Sequence, residues 1–560
     1  MNKNVICVAL GVVLLGTTGC NKKLGQFQSD FFTTTPTPLE TVGENVPATI
    51  TGNIPAKFMV KNARVTATPV LVYQGGETAS GSVTIQGENV RANGQMVSYQ
   101  TGGTVQIPFN VAYRPEMEKS DLYLDFSVDQ NGKLYGLPRV KVGNGVIATS
   151  TLASAATVTP AIAKDDFQRV INEKYNAEIR FLINQANIRN NQITATDYVD
   201  LNERLRAANA APNQEIAGVN ISSFASPDGT LSFNTELAER REKNTTSLME
   251  KQLKKDKITE FGELTSQFTP EDWEGFQKLV QASNIQDKDL ILSVLNMYKD
   301  PEQREKELRN LSSVFDELAN QILPQLRYSR IQASINTIGK SDQELIDIFN
   351  AHPSELTANE ILYTATLSND NARKMQVYKK ATELFPNDYR GYNNLGMTQY
   401  IAGDYAAAKA NFQKAARLDP ASKEVQMNLG LINLLEGNYA KANELLGASA
   451  GVPEAADALG VYYLTQGEVA KANNAFGNAK TNNAALGRIL AKDYSAARNT
   501  LQSIANPDAT TYYLMAVLAA RTNNESGVLS NLRQAVKLNP QLLNRAKNDL
   551  EFANFNIASL

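Results

Sequence analysis

The sequence predicts a multidomain α+β protein with three folded parts: an N-terminal antiparallel β-sandwich, a central α/β domain and a C-terminal all-α solenoid. Three observations carry that expectation. Between residues 47 and 155, short β-branched runs recur about every ten residues with Gly or Asn between them. From about 165 to 335, apolar patterns of strand and helix period alternate. From Tyr389 onward, a pattern of small, aromatic and Leu positions repeats with a period of 34. At 560 residues the chain is too long for one hydrophobic core, so three or four domains are expected. A net charge of −3 gives no basic field for nucleic acid or an anionic membrane surface.

The first residues read as a targeting segment. Lys3 precedes an apolar run from Val5 to Gly16, too short to span a bilayer but suited to a signal-peptide core. It ends in Thr17-Thr18-Gly19-Cys20, which resembles the lipobox of bacterial lipoproteins, with Thr17 where Leu is usual. The resemblance implies cleavage after residue 19 and lipidation of Cys20. Cysteine arithmetic agrees: Cys7 would leave with the signal, so Cys20 would be the one remaining thiol. Several acyl chains would make the anchor durable, at about 0.8 kcal/mol per buried CH₂. The basic Lys22-Lys23 that follow, with no acidic stretch, suggest the periplasmic face of the outer membrane. Residues 20–46, rich in Thr and Pro, read as a tether.

The 47–155 segment contains Arg64 to Tyr73, Gly81 to Ile85, Met96 to Tyr99, Val105 to Ala112 and Asp121 to Val128 as strand candidates. It has no His, no Cys and no carboxylate cluster at metal-ligand spacing, so it reads as a structural or docking module, with carbohydrate or partner binding as the sharper alternative.

In the central segment, Asn176 to Phe181 and Ile216 to Phe224 read as strands, and Asp197 to Ala208 as a helix capped by Thr196. The turn Ala225-Ser226-Pro227-Asp228-Gly229 leads into a helix carrying Asn234, Leu237, Arg240, Arg241 and Leu248. A helical insertion from Thr269 to Leu323 precedes a last strand at 325–334. Gly229, Asn234, Leu237 and Arg241 resemble the signature of the OmpA-like peptidoglycan-associating family. That family grips the charged ends of a diaminopimelate residue with a turn aspartate and a helix arginine, a carboxylate for the ammonium and a guanidinium fork for the carboxylate. The resemblance implies Ser226, Asp228, Asn234 and Arg241 as candidate peptidoglycan-binding residues. The sequence departs from the signature where it has Ser226 in the aspartate position and Glu242 after the arginine.

In the C-terminal part, residues 355–560, Tyr392, Leu395, Gly396, Gly403, Tyr405, Ala408, Phe412, Ala415 and Pro420 match the tetratricopeptide consensus. Leu429, Gly430, Gly437, Tyr439, Ala442 and Leu446 begin the next unit. A third unit around Leu459 follows after a trimmed connection, and a fourth around Leu486 has a shortened first helix. A fifth runs from Ala509 to Pro540 with Leu532, Ala535 and Pro540 in place, and a degenerate unit precedes them all at Tyr378, Ala381 and Pro386. A closing helix is expected over 541–557. Repeat phase places Asn393, Asn394, Gln399, Gln426, Asn428, Asn433, Tyr462 and Tyr512 in the concave groove, a neutral surface of amides and tyrosines suited to a protein partner. The alternative is a groove that packs against the OmpA-like domain of the same chain.

Catalysis is not expected. The one histidine, His352, lies in a loop-like Asn350-Ala351-His352-Pro353, and nucleotide-binding, nucleophile-elbow and zinc motifs are absent from the sequence. No cofactor and no metal are implied. The functional expectation is a lipid-anchored scaffold that recruits a protein partner, with a peptidoglycan-binding anchor and a surface adhesin or secretion-system component as alternatives.

Overall fold

The computed structural model describes residues 23–285, 288–310, 316–558 and 560. Cys7, Cys20 and the signal segment lie outside the described residues. Two compact units emerge: the residues up to Lys164 together with Ser368–Leu560, and Asp165–Leu367. Among the described residues no helix is long and apolar enough to cross a membrane.

The first unit begins with a β-module. One sheet runs β1 (Phe32–Thr35), β3 (Asn45–Ile54) and β8 (Gly103–Ala112). The other runs β10 (Lys133–Asn144), β9 (Ser120–Gln130), β4 (Ala63–Tyr73), β6 (Val83–Gly87) and β7 (Gln95–Val97), with β5 (Gly76–Ala79) paired to β4. Strict alternation of buried and exposed residues along β3, β8 and β9 puts Ile50, Ile107 and Leu124 into one shared core. Pairing is mainly antiparallel, but β6–β7 is parallel, as is β2 (Leu39–Glu40) with β11 (Val146–Ile147).

The expected tether is a correction. Residues from Leu24 onward are folded into this module: Phe27 and Phe32 lie in its core, and β1 pairs with β3. Gly52 makes the space, since a Cβ there would stand 2.9 Å from the Phe32 ring. Of the Thr and Pro residues that suggested a linker, Thr33 and Thr35 point outward from β1, Pro36 and Pro38 lie in the bend after it, and Thr34 and Thr41 are buried.

The second unit holds a four-stranded sheet in the order β12 (Val170–Arg180), β15 (Tyr328–Ile338), β13 (Gln214–Phe224), β14 (Glu263–Thr269). β13 and β14 are parallel, joined by the long helix Leu231–Lys255, as a parallel pair requires a crossover. That helix and Thr196–Ala210 bury Met249, Leu253, Tyr198, Leu201 and Leu205 against one face of the sheet. Thr196 is the first helical residue; the N-cap is Ala195, without a side-chain bond. The insertion forms helices Trp273–Ala282, Lys288–Met297 and Pro301–Asn310, which close a small core of their own around Phe276, Ile291 and Ile322. Helices Asp342–Ala351 and Ala358–Thr366 also belong to this unit, so the solenoid does not start at residue 355. His352 ends the first of them and is exposed.

The solenoid belongs to the first unit. After helix Asn371–Leu384 come five hairpins, whose leading helices are Tyr389–Ile401, Lys423–Leu435, Ala455–Thr465, Asn482–Leu490 and Ala509–Arg521. The repeated glycine explains the packing: a Cβ on Gly396 would meet Phe412 at 2.7 Å, one on Gly430 Leu446 at 2.7 Å, one on Gly460 Phe476 at 2.2 Å. Only a residue without a side chain lets the two helices of a hairpin approach that closely. The closing helix is shorter than expected, Leu542–Asn548, followed by a 3-10 turn at Leu550–Phe552.

Candidate functional site

The sequence points to two polar sites, one in each unit. In the second unit the turn after β13 delivers Ser226, Asp228 and the helix cap Thr230, whose hydroxyl accepts from the Phe233 amide. Arg241 follows three turns along the helix and is fully buried. Its Nε donates to the Gln185 carbonyl (3.0 Å), Nη1 to Phe224 (2.8 Å) and Nη2 to Leu182 (3.3 Å). The guanidinium also lies over the Phe181 ring at 5.0 Å. Burial, reinforced by the Arg327 charge, lowers its pKa to about 10.

Asp228 does not pair with Arg241. Its carboxylate accepts from Arg327 Nη2 (2.8 Å) and from the Ser226 hydroxyl (2.8 Å), which itself accepts from Arg327 Nε (3.1 Å). Arg309 of the insertion donates to the Asp228 carbonyl (2.7 Å). Asn234 donates to the Gly229 carbonyl (3.0 Å) and to Glu271 (3.2 Å). Ser226 and Asn234 are buried, Asp228 is half-buried, and the arginine fork serves main-chain carbonyls of its own unit. Sequence reasoning missed Arg327, which stands 99 residues from its carboxylate and carries no local motif.

In the first unit, the groove lined by the leading helices is filled by the chain itself. The segment Ser154–Lys164 runs through it, helical only at Ala155–Thr157. Asn394 accepts from the Ala163 amide (2.8 Å) and donates to the Ala163 carbonyl (2.9 Å). Asn428 does the same at Ala161, at 2.7 and 2.8 Å. Asn393 adds a bond to the Ala161 carbonyl (3.0 Å) and accepts from Asn428 (2.9 Å). Further along, Asn483 grips the amide and carbonyl of Ser154, both at 3.0 Å, and the Tyr400 hydroxyl donates to the Ala155 carbonyl (2.7 Å). A carboxamide has one acceptor and one donor side, so each Asn serves a residue's peptide groups as a neighbouring strand would.

The remaining expected groove residues take no part in the main-chain clamp. Gln399 accepts from Asn411, Gln426 donates to the Pro420 carbonyl, and Asn433 bonds to Leu429 on its own helix. Tyr462 and Tyr512 are half-buried against the solenoid core. Helix geometry gives the reason for Gln426: two residues from Asn428 is a rotation of about 200°, to the opposite face. Tyr400, Asn483 and the occupant itself were not anticipated.

At the solenoid's closing end, Tyr513 donates to Asp549 (2.7 Å), and Arg521 forms a fork on Glu551, which also accepts from Thr149 (2.6 Å). Burial raises the Asp549 pKa above its ordinary value of 3.8. Among the described residues no cluster of His, Cys, Asp and Glu is arranged to hold a metal ion.

Residues 389–422 match the family model of the tetratricopeptide repeat. No curated protein matches the chain. Solved structures similar to it include the APC/C hetero-tetramer Cut9–Hcn1, at 18% identity over 37% of this chain and 45% of that one, with a TM-score of 0.33. This chain therefore spans less than half the length of that structure's chain. A tetratricopeptide repeat protein from Parabacteroides merdae is 12% identical over 37% of this chain and 91% of its own, TM-score 0.30. PilF of Pseudomonas aeruginosa is 18% identical over 38% of this chain and 99% of its own, TM-score 0.29. The C-terminal region is a helical array of tetratricopeptide repeats, a type of array suited to protein–protein interaction.

Proposed function

We propose that this chain is a non-catalytic scaffold of the bacterial cell envelope, fixed to the periplasmic face of the outer membrane by lipid on Cys20, whose repeats hold a protein partner by its main chain. One observation carries the binding part. Asn394 and Asn428 stand one repeat apart, and each takes both the amide and the carbonyl of a single residue in an extended segment. The groove therefore has the chemistry of a main-chain reader. The anchoring part rests on the sequence around Cys20. The peptidoglycan alternative finds less support, because Arg241 and Asp228 are already matched by groups of their own unit.

The test is to purify the tagged chain from detergent-solubilised envelopes beside Asn394→Ala/Asn428→Ala. The same partners should be lost or weakened in the variant; an unchanged partner set would remove the groove from the function. Labelling with radioactive palmitate should mark the wild type and not Cys20→Ser.

A further inference from the structure

Ser154–Ala163 occupies the groove with main-chain contacts from five side chains, while its own small side chains add Ala155, Val158 and Ala161 to the solenoid core and the Thr157 hydroxyl accepts from Asn483. Ala161 and Ala163 are buried at 1% exposure against the asparagines, whereas Ile162 between them points outward at 39%. No charged group of the segment takes part in the clamp contacts. The asparagines are neutral, and Asn393 links two of the others, donating to Asn394 and accepting from Asn428, so the segment completes a network the solenoid already holds in part. An opened groove would offer these amides to water, so the occupant is replaceable, and none of its inward-facing side chains is larger than Val158.

We propose that residues 154–163 are an internal ligand, a latch that keeps the groove shut, and that the partner which displaces it is a protein exposing an extended run of small residues (Ala, Ser, Thr). This rests on the scaffold reading above and adds the class of sequence recognised and the competition that controls access. The clamp explains the class: a residue whose amide and carbonyl both meet one carboxamide must come close enough that only a methyl fits beside it. Tethering explains the control. A segment attached to the same chain is present at an effective concentration on the order of millimolar, so a micromolar competitor meets a mostly closed groove.

The experiment uses the full chain and a fluorescein-labelled peptide of residues 153–164. In Ala161→Glu/Ala163→Glu, the latch no longer fits, and the peptide binds at least tenfold more tightly than to the wild type by anisotropy. Adding Asn394→Ala/Asn428→Ala to that background abolishes the gain. A peptide with Leu at the positions of Ala161 and Ala163 binds neither chain. Equal binding to latched and unlatched chains, or binding indifferent to the asparagines, overturns the proposal. Should the glutamate variant lose its helical circular dichroism, hydrogen exchange on the wild type decides instead. Millimolar peptide accelerates exchange of the Ala161 and Ala163 amides; no acceleration overturns the latch. A wild-type dimer that becomes monomeric in Ala161→Glu/Ala163→Glu overturns it in favour of exchange between copies. Peptide binding without any partner in the envelope purification would sink the scaffold reading and leave the groove chemistry standing.

Discussion

The Arg241 pocket and the asparagine groove are both polar sites that the chain satisfies from within, and they do it by opposite means. The pocket uses charge and short reach: a guanidinium spread over three carbonyls, beside an Asp228–Arg327 pair that is only 16% and 10% exposed. The groove uses neutral amides and long reach, closing on a segment more than 230 residues away. Removing one partner of a buried charge strands the other, which is far costlier than stranding an amide. The pocket is therefore a fixed element of the fold, whereas the neutral groove is the site where the proposed exchange would cost least.

That contrast can be broken by measurement. The largest effect expected is Arg241→Ala, which empties a fully buried site and takes the guanidinium from the Gln185 and Phe224 carbonyls, and should destabilise the second unit by about 3 kcal/mol. Trp273, the sole tryptophan, lies in this unit and reports its urea transition by fluorescence. Arg241→Lys should recover little, because one ammonium does not span three separated carbonyls. Asp228→Asn comes next, costing about 2 kcal/mol by stranding Arg327, with the same readout. If either variant unfolds at the wild-type urea concentration, the pocket is not structural.

Asn428→Ala should cost about 1–2 kcal/mol and leave the Trp273 transition unchanged. It is read as roughly tenfold faster hydrogen exchange at Ala161 for each 1.4 kcal/mol lost. Slower or equal exchange would contradict the clamp. The smallest effect is at Asp549, a buried carboxylate that accepts from Tyr513. Its folded pKa lies above the unfolded one, so its contribution is fully present below 3.8 and is lost as pH rises through the folded value. Asp549→Asn keeps an acceptor for Tyr513 and should flatten that decline, raising neutral-pH stability by about 1 kcal/mol or less. A thermal melt that stays as pH-dependent as the wild type would show that another group carries the effect.

What could be read from the sequence follows from where the constraints are local. The hairpins are legible because Gly396 and Phe412, or Gly460 and Phe476, are complementary in volume at a fixed spacing. In the second unit β12, β13, β15 and the two long helices are legible through their periods, whereas β14 and the helices after β15 are not. The fold of residues 24–46 is not, since β1 and β2 are too short to show alternation and depend on Gly52 and β11 for their partners. Asn393, Asn394 and Asn428 could be placed by repeat phase, but Gln426 shows that phase must be followed to the single residue. The occupant was invisible because an Ala- and Thr-rich stretch carries no hydrophobic period. Its smallness is what lets it fit.

The burial of Leu24, Phe27 and Phe32 sets a length that nothing else in the fold can lengthen. Three residues stand between Cys20 and Leu24, so four chain steps make a leash of about 14 Å at full stretch. The headgroup layer of one leaflet takes up about 5–7 Å of that. With lipid on Cys20, the β-module would ride directly on the membrane surface, with almost no stand-off. A partner would then be collected at the bilayer, by a solenoid folded into the same unit as that module, and not fished from a distance on a flexible line.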